Sequence, residues 1–140
     1  MGLDGNRQRR YNAKHYRKNI MRIFKFKHIA KFAAKQGITD TDLREAAERA
    51  DNGLIDADLG GGVIKQRIAR KGQGRSGGYR SIILFKQGDR AFFAHIFAKN
   101  DRENIDRQDL QNFKRLAAQT QTLTADELAA LKDTGEIKEL

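Results

Sequence analysis

The chain has no cysteine, no proline and no tryptophan among its 140 residues, and only three histidines. Without cysteine there is no disulfide, no thiol nucleophile and no thiolate metal site. His15, His28 and His95 lie far apart and show no ligand spacing such as H-x-x-x-H, so the sequence offers no metal site. Without proline, turns must be made from Gly, Asn and Asp. No run approaches the roughly 18 apolar residues a membrane-spanning helix needs. No apolar stretch follows the N-terminus, as a secretory signal would require. A cytoplasmic protein with no metal, no other cofactor and no membrane partner is the expectation.

What is present is positive charge. The net charge is +10 and the pI about 10.1. The distribution is uneven: +5 over residues 1–20, +8 over 21–100 and −3 over 101–140. A basic front and an acidic tail suit polyanion binding through the first part of the chain. Residues 65–80, KQRIARKGQGRSGGYR, are the most one-sided stretch, with six basic side chains, four glycines and no acid. Arginine forks bind phosphate bidentately and lysine adds a mobile point charge. Apolar β-formers lie on both sides of this stretch. It reads as a basic loop held between two strands, suited to a nucleic-acid backbone.

Residues 1–20 have no hydrophobic period and read as a basic, flexible extension; residues 21–140 read as one domain. Alternation over Met21–Phe26 predicts a short strand. Ile29, Phe32 and Ala33 fall on one helical face, and Gly37 is placed to end that helix. Thr39 is a good N-cap for a second helix, with Ile38 and Leu43 as its hydrophobic staple. Strands are predicted near 63–69, 79–86 and 90–98, the last two joined by Gln87-Gly88-Asp89. A helical stripe runs from Asp106 through Leu110, Phe113, Leu116 and Ala117. Thr124 and Glu127 form a capping box for a last helix, which stops near Gly135. The expectation is an α+β fold: a small, curved antiparallel sheet with an N-terminal helical hairpin and C-terminal helices, all packed on one side.

Alternation along 63–69 puts Lys65 and Arg67 on one face. If the sheet curls, Lys65, Arg67, Arg80 and Lys99 line one surface. For any one of them a solvated polar position explains the residue equally well; for the group it explains less. His95 could move a proton near neutral pH, yet it sits among Phe93, Ile96 and Phe97 and reads better as a packed core histidine. His28 reads as capping or decorating a helix surface. Gly60-Gly61-Gly62 reads as a tight turn, and the glycine-rich stretch lacks the Walker pattern. Asp101, Glu103, Asp106 and Asp109 read as acids complementing a helix N-terminus.

The runs Leu59–Arg70 (LGGGVIKQRIAR), Gly72–Arg80 (GQGRSGGYR) and Phe97–Asn100 (FAKN), with Asn104-Ile105, resemble the RelE-like toxins of bacterial toxin–antitoxin pairs, close to the HigB group. The likeness covers about residues 21–140. The family's usual lysine is Arg75 here. Phosphate binding survives that exchange; proton transfer at that position does not, because arginine stays protonated. The resemblance implies a ribosome-dependent mRNA endonuclease that inhibits translation without metal. Its partners would be mRNA, the ribosome and a cognate antitoxin, a helix-turn-helix protein encoded in the adjacent frame. Lys65, Arg67, Arg80 and Lys99 are the candidate catalytic residues. Arg70, Lys71, Arg75 and Arg102 are the candidate RNA-binding ones. Crowding among cations favours the neutral form of a lysine, which suits Lys65 or Lys99 to proton transfer. Two alternatives stand beside this reading: a ParE-type inhibitor of DNA gyrase and a non-catalytic RNA- or ribosome-binding protein.

Overall fold

A computed structural model describes residues 20–70, 74–98 and 105–140; for Arg70 and residues 74–77 it describes backbone alone. The expected N-terminal extension, through residue 19, lies outside the described residues. The elements are β1 (Arg22–Phe26), α1 (Lys27–Gln36), α2 (Asp40–Asp51), β2 (Ala57–Gly60), β3 (Val63–Arg70), β4 (Gly74–Lys86), β5 (Arg90–Ala98), α3 (Arg107–Gln121), α4 (Ala125–Asp133) and β6 (Ile137–Glu139). The strands form one open sheet in the order β2-β3-β4-β5-β1-β6.

The α+β class and the helical hairpin are as expected. Three details differ. The sheet is mixed, because β1 runs parallel to β5. Two short strands, β2 and β6, extend its edges. The helices cover both faces instead of one. The cause of that last difference lies in the central strands, which are apolar on both sides. In β1, Ile23 belongs to one core and Phe24 to the other; in β4 and β5, Ile83 and Phe93 part from Ile82 and Phe92 in the same way. A strand buried on both faces needs a cover on both. α1 and α2 supply one layer through Ile29, Ala33, Leu43, Ala46, Ala47 and Ala50. α3 and α4 supply the other through Ala117 and Leu128.

Local chemistry sets the helix ends. Gly37 takes φ 73°, and its N–H and that of Ile38 bond back into α1; the left-handed conformation costs glycine little. Thr39 and Asp42 close a capping box on α2, and Thr124 and Glu127 close another on α4. Asp106 caps α3 by accepting from the Asp109 N–H. At the other end of α3, Arg90 donates to the Thr120 and Leu123 carbonyls, at 2.9 Å each. The Thr120 carbonyl lies in the last turn of α3, where carbonyls lack donors within the helix, and Leu123 follows just beyond it.

Gly60-Gly61-Gly62 forms the tight turn from β2 to β3, with φ of 86°, 61° and 82°. α3 lies directly on it. A Cβ on Gly62 would displace the tip of the Gln121 side chain, but it is the left-handed conformation that requires glycine there.

Candidate nucleic-acid interface

The basic stretch 65–80 lies mostly within β3 and β4 and is not the loop that its glycines suggest. β4 begins at Gly74, well before the expected residue 79. Regular pairing holds from Val63↔Leu84 to Ile68↔Tyr79; the register then jumps, so that Arg70 faces Gly74 where unbroken pairing would give Gly77. The extra residues fall on the glycine-rich side of the ribbon, where a bulge strains the chain least.

On β3 the alternation holds. Ile64 and Ile68 enter the core under α1 and α2, and Val63 enters the core under α3. Lys65 and Arg67 therefore point to the α3 side, each half-buried. Register then builds two rows across three strands. Lys65 faces Ile82, which faces His95; Arg67 faces Arg80, which faces Phe97. Residues opposed in this way have Cβ atoms about 4.5–5.5 Å apart on one face.

The second row has an electrostatic cost. Two arginines stand directly across from each other, and like charges so placed repel. Among the described residues, none of Lys65, Arg67 and Arg80 forms an ion pair. The Arg80 Nη1 is enclosed and has no hydrogen-bond partner among them. A desolvated, unpaired guanidinium nitrogen is expensive unless an anion completes it. Three half-buried cations with no ion pair among the described residues form a receptor for negative charge.

His95 belongs to this face. A bulge in β5 makes it so: Ile82 faces His95 while Ile83 faces Phe93, leaving Ala94 extra. Phe93 thus turns into the α1–α2 core, and simple alternation, which would place Phe93, His95 and Phe97 on one face, fails there. The His95 ring stacks on Phe97 at 5.5 Å and meets Phe113 of α3 at 6.3 Å. It is half-buried and not sealed in a core. His28 supports the bulge: its Nε2–H donates to the Ala94 carbonyl at 3.1 Å. Its role is therefore a specific structural one, where the sequence suggested a helix cap or surface decoration.

A side-chain frame positions Arg67. β2 pairs with β3 only as far as Ala57↔Lys65, so the backbone of Arg67 runs past the end of its neighbour strand. The Asp56 carboxylate accepts from the Arg67 N–H at 2.6 Å, and Arg49 donates to the Arg67 carbonyl. Arg49 is itself held by Glu45 at 2.8 Å. Gln66, fully buried, ties the same segment down: it accepts from the Asp56 N–H and donates to the Ala46 and Leu54 carbonyls. These supports have no sequence motif; they depend on which backbone groups the short β2 leaves unpaired.

Of the other predicted residues, Arg70 ends β3 and Arg75 lies near the start of β4. Their side chains, and Lys71, Lys99 and Arg102 altogether, lie outside the described residues. Asp106 and Asp109 lie at the N-terminus of α3, as expected; Asp101 and Glu103 fall outside the described residues. Among the described residues, no three His, Cys, Asp or Glu side chains come together to hold a metal ion, and no helix is long and apolar enough to cross a membrane. The most displaced carboxyl is remote from the site. Glu139, on the β1–β6 edge, is lowered to about 2, chiefly by its hydrogen bond from Arg22 and then, against the cost of burial, by Lys132.

A family model for the RelE toxin of the RelE/RelB toxin–antitoxin system matches residues 21–140. The chain belongs to the RelE toxin family, and the membership implies an antitoxin partner. A comparison with curated proteins returns no match.

Proposed function

We propose that this toxin is a ribosome-dependent mRNA endonuclease, and that the face carrying Lys65, Arg67, Arg80 and His95 is where RNA is cut. The observation that carries the proposal is the Arg67–Arg80 pair: directly opposed and, among the described residues, without an ion pair and with one enclosed guanidinium nitrogen lacking a partner. Phosphate is the anion that two arginine forks fit best.

The chemistry is attack by a ribose 2′-oxygen on the adjacent phosphorus. The P–O2′ bond forms, the P–O5′ bond breaks, and the products are a 2′,3′-cyclic phosphate and a 5′-hydroxyl. A base must take the 2′-OH proton and an acid must protonate the leaving 5′-oxygen. Arg67 and Arg80 would hold the non-bridging oxygens as charge builds on the pentacoordinate phosphorus. Arginine cannot move the protons. That leaves Lys65, His95 and Lys99, of which Lys65 and His95 end the same cross-strand row. Arg70, Lys71, Arg75 and Arg102 would hold flanking phosphates. The ribosome would supply the alignment of a flexible message, a large part of any barrier.

The test is a defined message on programmed ribosomes, mapped by primer extension, with and without the protein. Codon-positioned cuts that require the ribosome support the reading. Inhibition of gyrase supercoiling without cutting would replace it with the ParE-type one. Ribosome binding with neither effect would leave a non-catalytic binder.

A further inference from the structure

On the far side of the sheet from Lys65 and Arg67, α1 carries a second concentration of charge. Lys27, Lys31 and Lys35 are all exposed and recur every fourth residue, so they stack along one helix edge about 6 Å apart. The edge faces away from Ile29 and Ala33, which enter the core.

Three observations separate this edge from an ordinary solvated face. First, no acid answers it: the first turn of α1 contains none, and none of the three lysines forms an ion pair among the described residues. Other lysines do, as in Lys25–Asp40 at 2.6 Å and Lys132–Glu139 at 2.8 Å. Second, the start of the arrangement and its spacing work against the helix, although Lys35 in the last turn suits the dipole. Lys27 lies at the positive end of the dipole, each lysine repels the next at i,i+4, and the N-cap, Phe26, makes no side-chain cap. Helices α2 and α4 of the same molecule have capping boxes and acids in their first turns. A local rule broken without local compensation marks a functional position. Third, the helix that carries the edge is tied to the basic ribbon through its core-facing side: near the end of α1, Tyr79 of β4 donates to Gln36 at 2.9 Å and meets Phe32 edge-on at 6.3 Å.

We infer that the Lys27–Lys31–Lys35 edge is a second phosphate-binding surface, and that it grips structured RNA of the ribosome while the opposite face takes the message. A folded peptide partner would want apolar anchors at i, i+3 and i+4; this edge offers ammonium groups and Ala34. Charge without anchors suits a nucleic-acid backbone, which is read as phosphate alone. The inference rests on the translation reading only in naming the ribosome as the source of RNA.

The experiment measures binding of the full chain to message-free ribosomes and to an RNA duplex over a salt series. Lys27→Gln/Lys31→Gln/Lys35→Gln should bind both at least tenfold more weakly, with the slope of log K against log salt reduced by about 2–3. Lys27→Arg/Lys31→Arg/Lys35→Arg should restore both. Melting of the Gln triple should be no lower than that of the parent. An unchanged slope, loss that arginine does not restore, or loss confined to a polyglutamate peptide standing in for an acidic protein would overturn the inference. Cleavage, assayed separately, distinguishes the two claims. Lysine-dependent RNA binding without cleavage overturns only the nuclease; cleavage with lysine-independent binding overturns only this edge.

Discussion

Strand β3 has two faces with opposite fates. Towards α2 it presents Ile64, Gln66 and Ile68, none more than 2% exposed. Towards α3 it presents Lys65 and Arg67, half-open and without ion pairs among the described residues. One face contributes stability and the other gives some of it up. The sealed face fixes the register: a slip of one residue would drive both cations into the core. It also holds Arg67 in place through the polar frame of Gln66, Asp56 and Arg49. A face of unpaired cations can be kept only because the other side of the same strand is so firmly held.

The comparison is broken most directly by truncating the sealed side. Ile68→Ala should cost about 2–5 kcal/mol in denaturant unfolding, whereas Lys65→Ala, on the opposite face of the same strand, should stay within about 0.5 kcal/mol. Equal losses would show that the open face is also structural. Gln66→Leu should cost about 1–3 kcal/mol, because it strands the Asp56 N–H and two carbonyls. It should also raise amide exchange at residues 54–57 before it does so in β5. At the edge of the sealed layer, Thr39→Ala removes half of a capping box and should cost about 1 kcal/mol. Thermal melts of that variant and of Thr124→Ala would show whether the two boxes are equivalent. The smallest effect is a pH dependence far from either face. Glu139 is lowered from 4.5 to about 2 by Arg22 and Lys132. Its contribution is therefore complete above about pH 4.5 and is lost as the pH falls towards 2. Melts of the parent and Glu139→Gln should differ most near neutrality and converge in acid. A gap that widens in acid would contradict the assignment.

Much of this was legible in the chain. Gly37, Thr39 and Thr124 mark helix ends by chemistry that acts within a few residues, and the structure uses all three. The alternation V-I-K-Q-R-I placed Lys65 and Arg67 together for the same reason. What failed depends on distant partners. The runs SIILF and AFFAHIF do not alternate, a sign of strands buried on both faces; reading them as half-buried put all helices on one side. β6 is only three residues long and exists because β1 offers an edge. The bulge at Ala94 has no local signal, yet it separates Phe93 from His95. His95 was read as core because its sequence neighbours are aromatic. In the structure Phe97 and Phe113 flank His95 on a half-open face, while Phe93 turns into the opposite core.

The central claim is that Arg67 and Arg80 face each other for the sake of a phosphate. The measurement is ribosome-dependent cleavage by Arg67→Gln/Arg80→Gln, mapped by primer extension and paired with a thermal melt of the same preparation. The account predicts cleavage lowered by about 10³-fold or more, with a melting temperature equal to or above that of the parent, since the repulsion is relieved. Cleavage at the parental rate, or a loss of cleavage matched by a lowered melting temperature, would contradict it.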